Sequence, residues 1–457
     1  MTVEEIIKAT GGKLISENSK TFSGVSTDSR TITEGQLFIA LRGDTYDGHN
    51  FLEKALVRGS GAMVDRMPES LPQGKVIVHV NDTLRSLQDM AHMLRINRDI
   101  PVVAVTGSNG KTTTKEMIYR ILSGKFRTLK NEGNMNNHIG LPLSLLRLEP
   151  DDEMIVLEMG MNAAGEIRRL CEIAAPTHGV ITNIGLAHVG RLGSREAVRR
   201  AKFEIVEGLH AAIVNADDEY LMDGFEKIEG FHGRIITFGM HNDADVTALN
   251  MKTTAGGCDF VLAVRNDGTA PVSLKVHGTF NVYNALAASA AASSLGMSID
   301  EIAVSLGRYH AYPMRFEMMK KGSITVINDS YNANPSSIRE SVRELFRMHA
   351  KGRAVIVLGD MGELGEFSDE EHRGIGRMIS ETAADLFVSV GRNMRLAAEE
   401  CMNAGKERKA PEVVFYADVN EAVKNIGTIL KKGDTVLIKG SRAMTMEKIA
   451  EGISGAL

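Results

Sequence analysis

The sequence predicts an α/β protein whose central part is a doubly wound, largely parallel sheet. Three observations predict it. Short runs such as Val102–Val105 and Ala354–Leu358 are apolar throughout instead of alternating, as strands buried on both faces are. Each run is followed by a loop or a helical pattern, the order expected of βαβ units. The chain has 457 residues, too many for one ordinary core, so several domains are expected.

Taken in order, the first 98 residues read as short strands and helices punctuated by glycine. Val3, Ile6 and Ile7 mark an opening amphipathic helix that Gly11-Gly12 stops, Leu37–Leu41 is a buried strand, and residues 84–98 are helical until Asp99-Ile100-Pro101 breaks the pattern. That break is a first boundary. Beyond it, Val102–Val105, Met154–Leu157, Gly179–Thr182 and Ala212–Val214 are candidate parallel strands. Residues 245–276 alternate more cleanly and predict an antiparallel insertion, and Asn284–Leu295 an Ala-rich helix. A second boundary falls at Tyr312-Pro313. Ile324–Ile327, Ala354–Leu358, Leu386–Val390, Val413–Tyr416 and Thr435–Ile438 then make a further α/β unit. The resulting division is 1–98, 99–312 and 313–457.

Composition excludes several classes. Hydrophobic residues make up 43% and charged residues 24%, as in a folded globular chain. The net charge is −5 with scattered basic residues, so no nucleic-acid footprint is present. Cys171, Cys258 and Cys401 are odd in number and form no CxxC pair, which suggests neither a zinc site nor a disulfide framework. The acidic start Met1–Glu5 lacks the order of a secretion signal, and no apolar run reaches membrane-spanning length. A reducing, cytoplasmic setting without membrane insertion is the expectation.

The strongest local signal is Thr106-Gly107-Ser108-Asn109-Gly110-Lys111-Thr112-Thr113-Thr114, between an apolar strand and a helical stretch. Glycines let the backbone turn and aim N–H groups at phosphate oxygens, and the helix N-terminus adds its positive dipole end. Lys111 supplies a cation for the outer phosphates and Thr112 a hydroxyl for Mg²⁺. The consensus GxxxxGK[ST] is not fully met, because Val105 stands where its first glycine would be. The loop points to a nucleoside triphosphate and leaves kinase, ATPase and ligase open. Glu158, ending the run Ile155–Leu157, is either a metal-holding carboxylate or a solvated strand end. His188 is either a structural histidine or a ligand. Spacing alone leaves Lys202, in a helical stretch that also carries Arg195, Arg199 and Arg200, a surface lysine.

Ordered along the chain, Thr106–Thr114, Glu158-Met159-Gly160, Asn183-Ile184-Gly185-x-Ala187-His188, Lys202, Gly278-x-x-Asn281-x-x-Asn284, Arg315 and Asp329–Pro335 resemble the motif series of the Mur ligase family. The resemblance covers essentially the whole chain. It implies three domains: an N-terminal one for a UDP substrate, a central P-loop ATPase and a C-terminal Rossmann-like one. Gly133–Pro142 and Asp329–Pro335 resemble the branch that joins D-alanyl-D-alanine to UDP-N-acetylmuramoyl-tripeptide through an acyl phosphate. The Asp-Asn-Pro-Arg motif of a sister branch is absent, and Leu358–Gly365 and Lys439-Gly440-Ser441 stand in its place.

Roles follow by the same resemblance. Gly107, Ser108, Asn109, Gly110, Lys111, Thr112, Thr113, Asn281, Arg315 and Asp329 would bind ATP. Thr112, Glu158, His188 and a carbamylated Lys202 would hold Mg²⁺. Lys111, Lys202, His188 and Arg315 would be catalytic. Ser29, Arg30, Arg42, Gly43, Asp47, Gly48, His49, Asn137, Tyr331, Asn332, Asn334, Lys439 and Ser441 would lie on the substrate side. A monomer is expected.

Overall fold

The structure is a computed structural model, and it describes residues 1–16, 21–43, 45–68, 70, 73–348, 352–404 and 410–453. Three sheets follow one another along the chain. The first has five strands in the spatial order Lys13–Leu14, Val76–His79, Gly61–Val64, Gln36–Ile39 and Gly24–Ser26, all parallel except the first. Its opening helix, Val3–Thr10, starts in a reciprocal cap between Thr2 and Glu5 and ends at Gly11 with φ 65°, as the glycine pair requires.

The central sheet has nine strands. Thr128–Lys130, Met154–Glu158, Val102–Thr106, His178–Ile181, Ala211–Asn215 and Arg234–Gly239 run parallel, and Val246–Thr254 pairs parallel to the last of them. Gly257–Val264 and Gly268–Leu274 then complete an antiparallel meander. The alternating segment is thus antiparallel as expected, but it extends the central sheet at its edge and is not a separate insertion. Val102–Val105 is wholly buried because helices cover both faces: Lys111–Leu122 and Thr279–Ser294 on one side, Glu166–Ala174 and Arg195–Phe203 on the other. Thr279–Ser294 is buried nearly all round, and its alanines permit the close helix–helix approach.

The third sheet has six strands in the order Glu317–Lys321, Ile324–Asn328, Thr435–Lys439, Ala354–Gly359, Leu386–Val390 and Glu412–Tyr416. Only the first is antiparallel. In both larger sheets the connections change direction at central strands, which opens a crevice beyond their carboxyl ends. The crevices of the second and third sheets face one another across a cavity of about 510 Å³. Among the described residues no helix is long and apolar enough to cross a membrane.

Candidate active site

The phosphate loop leaves Val102–Thr106, the strand flanked by Met154–Glu158 and His178–Ile181. Val105, at the first glycine position of the longer consensus, lies inside this strand paired with Glu158, so the turn starts only at Gly107. Gly107 has φ 146°, and a Cβ there would sit 1.8 Å from Thr182 Oγ1; Gly110 has φ 83°, and its Cβ would meet Asn284 Oδ1 at 2.3 Å. Any side chain at either place would push the loop off its supports.

Those supports are explicit. Ser108 N–H donates to the Asn183 carbonyl (3.0 Å), Asn109 N–H to Asn183 Oδ1 (3.0 Å), and Thr182 Oγ1 to the Asn109 carbonyl (2.6 Å). Helix Lys111–Leu122 starts at Gly110, so its first-turn N–H groups face the cavity without intrahelical partners. Lys111 Nζ curls back onto the Gly107 carbonyl at 2.8 Å. Burial pulls its pKa below the usual lysine value, and the Glu158 carboxylate opposes that pull.

Thr112 Oγ1 donates to Glu158 Oε2 at 2.8 Å and accepts from Arg315 Nη2 at 2.9 Å. Glu158 is held in turn: Asn136 Nδ2 donates to its Oε1 (2.7 Å), and Asn131 Oδ1 accepts from its backbone N–H (2.9 Å). Arg315 comes from the third unit and stacks on the Tyr331 ring at 3.7 Å. Asn334 Nδ2 donates to Asn109 Oδ1 (2.8 Å), and Asn109 Nδ2 to Ser336 Oγ (2.9 Å). These bonds bring motifs more than 200 residues apart onto the phosphate loop.

Lys202 departs most from the expectation set by spacing. It is 1% exposed, because Val198, Ala201 and Lys202 share the inward face of Arg195–Phe203. Among the described residues it has no acidic partner. Desolvation, then repulsion by Lys111, pulls its pKa well below the usual lysine value. His188 Nδ1 lies 2.7 Å from Glu363 Oε2, close but not aligned as a hydrogen bond. Burial lowers the His188 pKa, and His188 holds the Glu363 carboxyl below its usual range.

Among the described residues no three acidic, His or Cys side chains gather into a metal cluster. The adjacent Thr112 hydroxyl and Glu158 carboxylate are nevertheless hard oxygen donors of the kind Mg²⁺ takes, with phosphate and water completing its shell. Lys202 as an ammonium would repel that ion; as a carbamate it would suit it.

The cavity is lined by Ser108–Thr113, Asn137, Glu158, His188, Asn281, Arg315, Asp329, Tyr331, Asn332, Asn334 and Lys439. Gly107, Lys202 and Ser441 are not among the lining residues. Asn284 Oδ1 accepts from Thr114 Oγ1 at 3.2 Å and so ties helix Thr279–Ser294 to the loop helix, while Asn281 donates to the His277 carbonyl just ahead of its own helix and accepts from Asn284. Asp329 is occupied by Phe316 N–H, Ser341 Oγ and Lys439 Nζ (3.1, 2.7 and 2.5 Å). Arg42, Gly43, Asp47, Gly48 and His49 form a separate cluster on the first unit. There Asp47 accepts from His49 N–H (2.9 Å), Arg42 pairs with Asp65 and Arg66 with Asp47 (both 2.6 Å). Backbone and side-chain bonds from His49 and its ion pair with Arg66 bring the Asp47 pKa to about 2. Ser29 is buried, and Arg30 turns to Asp28.

Glu363, Arg442, Phe280 and Tyr283 also line the cavity and were not singled out in the sequence. A signal existed for the first two: each follows the carboxyl end of a buried strand, Ala354–Gly359 or Thr435–Lys439.

A glycine-turn phosphate site whose helix faces a second α/β unit across a shared cavity defines a nucleotide-dependent enzyme that works between domains. Family models match in three places: the Mur ligase middle domain over residues 105–292, the Mur ligase glutamate ligase domain over 314–442, and the Mur ligase family catalytic domain over 21–96. The chain belongs to the Mur ligase family. It is 35% identical over 459 residues to the UDP-N-acetylmuramoyl-tripeptide–D-alanyl-D-alanine ligase of Bacillus subtilis, covering 99% of this chain and 98% of that protein. The Escherichia coli ligase of the same name is 34% identical, over 95% and 94% of the two chains. Crystal structure I of MurF from Acinetobacter baumannii superposes with a TM-score of 0.89 at 33% identity, covering 98% of each chain. MurF ligase from Thermotoga maritima in complex with ADP superposes at 0.82 with 29% identity, over 94% and 96%.

Proposed function

We propose that this chain joins D-alanyl-D-alanine to UDP-N-acetylmuramoyl-tripeptide at the expense of ATP. The observation that carries the reading is the bond from Arg315 to Thr112, which puts a cation of the third unit on the phosphate loop of the second. Full-length similarity to ligases of that name supports the substrates. On this reading residues 1–98 receive the UDP part, 99–312 hold ATP and 313–457 bring the dipeptide.

A carboxylate and an amine do not condense in water unaided. The tripeptide's terminal carboxylate attacks the γ-phosphorus, giving an acyl phosphate and ADP. The dipeptide's amine then attacks the acyl carbon, loses a proton, and phosphate leaves with the C–O bonding pair. The loop's N–H groups cradle the phosphates, while Lys111 and Arg315 offset charge on the transferred phosphoryl group. Asn109, bonded to Asn334 and Ser336, keeps the third unit seated so that water is excluded from the acyl phosphate. Thr112, Glu158 and His188, with a carbamylated Lys202, would hold Mg²⁺, which supplies positive charge beside the phosphates. Lys202 is buried and its pKa is pulled down, which suits it to capture CO₂: the amine nitrogen, once deprotonated, bonds the carbon and releases one proton.

Met314 and Phe316, with φ of 60° and 54°, mark the link between the second and third units as its hinge, next to Tyr312-Pro313. Mass spectrometry of the product from UDP-N-acetylmuramoyl-tripeptide, ATP and D-alanyl-D-alanine tests the assignment. One added dipeptide is expected, and phosphate release that ignores the dipeptide overturns it. Lys202→Ala should be nearly inactive and recover with a short-chain carboxylate. Full activity without rescue would sink the carbamate.

A further inference from the structure

Resting on the dipeptide reading above, we propose that Arg442 is a specificity-determining residue that binds the C-terminal carboxylate of the incoming dipeptide. The nucleophile is a zwitterion. Its amine must reach the acyl carbon beside Lys111, Thr112 and Arg315, which leaves its carboxylate two residues away, about 7 Å. A second cation belongs at that distance, on the third unit.

Among the described residues, four cationic side chains of lysine or arginine line the cavity. Lys111 lies on the carbonyls of the phosphate loop. Arg315 serves Thr112 and Tyr331. The Lys439 side chain is 4% exposed and its ammonium is taken by Asp329 at 2.5 Å. Arg442 remains, with its side chain 48% exposed. It opens the short turn Arg442–Met444 beyond strand Thr435–Lys439, at the crevice edge where sheets of this type receive ligands.

Its placement is fixed from behind. Nη2 donates to Glu447 Oε1 at 2.8 Å, and Nη1 rests against Met314 Sδ at 3.7 Å. Met314 is the chain neighbour of Arg315, whose guanidinium stacks on Tyr331. A guanidinium has five N–H donors, and Glu447 and Met314 take two of those of Arg442. The rest suit a carboxylate, which arginine binds through paired, charge-assisted bonds. Glu447 orients the group without closing it off.

The test compares D-alanyl-D-alanine with its C-terminal carboxamide in steady-state assays of wild type, Arg442→Gln and Arg442→Lys. Wild type should favour the acid about 10- to 100-fold in kcat/KM, the range of a charge-assisted bond. Arg442→Gln should raise the dipeptide KM by a similar factor and use acid and amide equally, with KM for ATP and the UDP substrate within about twofold. Arg442→Lys should keep part of the preference, and it decides the matter if the Gln variant does not fold. An undiminished acid preference in folded Arg442→Gln overturns the proposal, and so does a parallel loss of affinity for all three substrates. A wild type that makes no product from the dipeptide overturns the functional reading instead.

Discussion

Between the first and second units the contacts run through apolar helix faces and backbone carbonyls, whereas between the second and third they run through polar side chains around a cavity. At the first seam, Leu87 and Met90 of helix Thr83–Ile96 pack with Ile139, Leu143 and Leu146. Buried Arg95 donates to the carbonyls of Ala174, Ala175 and Arg98 (2.9, 3.1 and 2.6 Å). Gln88 joins the His138 carbonyl to Arg169. At the second seam the polar contacts include Arg315–Thr112, Asn334–Asn109, Asn109–Ser336 and Thr279–Glu344, with apolar plugs at Val189 and Phe280. Opening the first seam strands buried carbonyls and exposes apolar surface. Opening the second exchanges side-chain hydrogen bonds for water, at a net of about 0.5–1.5 kcal/mol each. The difference teaches which seam is built to move: the one that admits substrates.

Four substitutions would break or sharpen that contrast. The largest effect belongs to Lys111→Ala, which should lower turnover by about 10³-fold or more while thermal unfolding stays near wild type; a ligation assay beside calorimetry checks both. Gly190→Ala comes next. A Cβ there would lie 2.3 Å from the backbone of Leu364 and Gly365, wedging the second seam open. Activity should fall about 100-fold with little change in the first unit's hydrogen exchange, since small misplacements cost that much. Normal activity would show that closure does not need this contact. Arg95→Ala should do the reverse, destabilising the fold by about 2–3 kcal/mol in urea titration by stranding buried carbonyls, with kcat kept in native buffer. The smallest effect is Asn334→Ala, about 1 kcal/mol at the second seam, read as faster hydrogen exchange in Pro335–Met348. Equal exchange in wild type and variant would remove Asn334 from the closing contacts.

Much of this was legible in the chain. Strands buried on both faces announce themselves as unbroken apolar runs, so Val102–Thr106 and Ala354–Gly359 were visible, whereas Lys13–Leu14 and Thr128–Lys130 are too short to show a period. The phosphate loop was legible because a tight turn needs glycine locally. Lys202 was not. Its helix carries charge on several sides, and only packing against the central core shows that position 202 faces inward. Lys439 was expected on the substrate side, and only the fold shows its ammonium committed to Asp329.

What the sequence by itself determined is the local chemistry: where the chain turns, which runs are buried, and that Gly107–Thr114 forms a glycine turn between a strand and a helix N-terminus. Those depend on contacts within a few residues, which the order of amino acids encodes directly. What only the tertiary structure decided is which distant groups share that loop and which way their pKa values move. Arg315, Asn334, Glu363 and Arg442 reach the cavity because two sheets present their carboxyl ends to one another. The Lys202 pKa is pulled well below its usual value because that packing excludes water from it. Desolvation and long-range proximity belong to the folded chain, and no local pattern of residues encodes them.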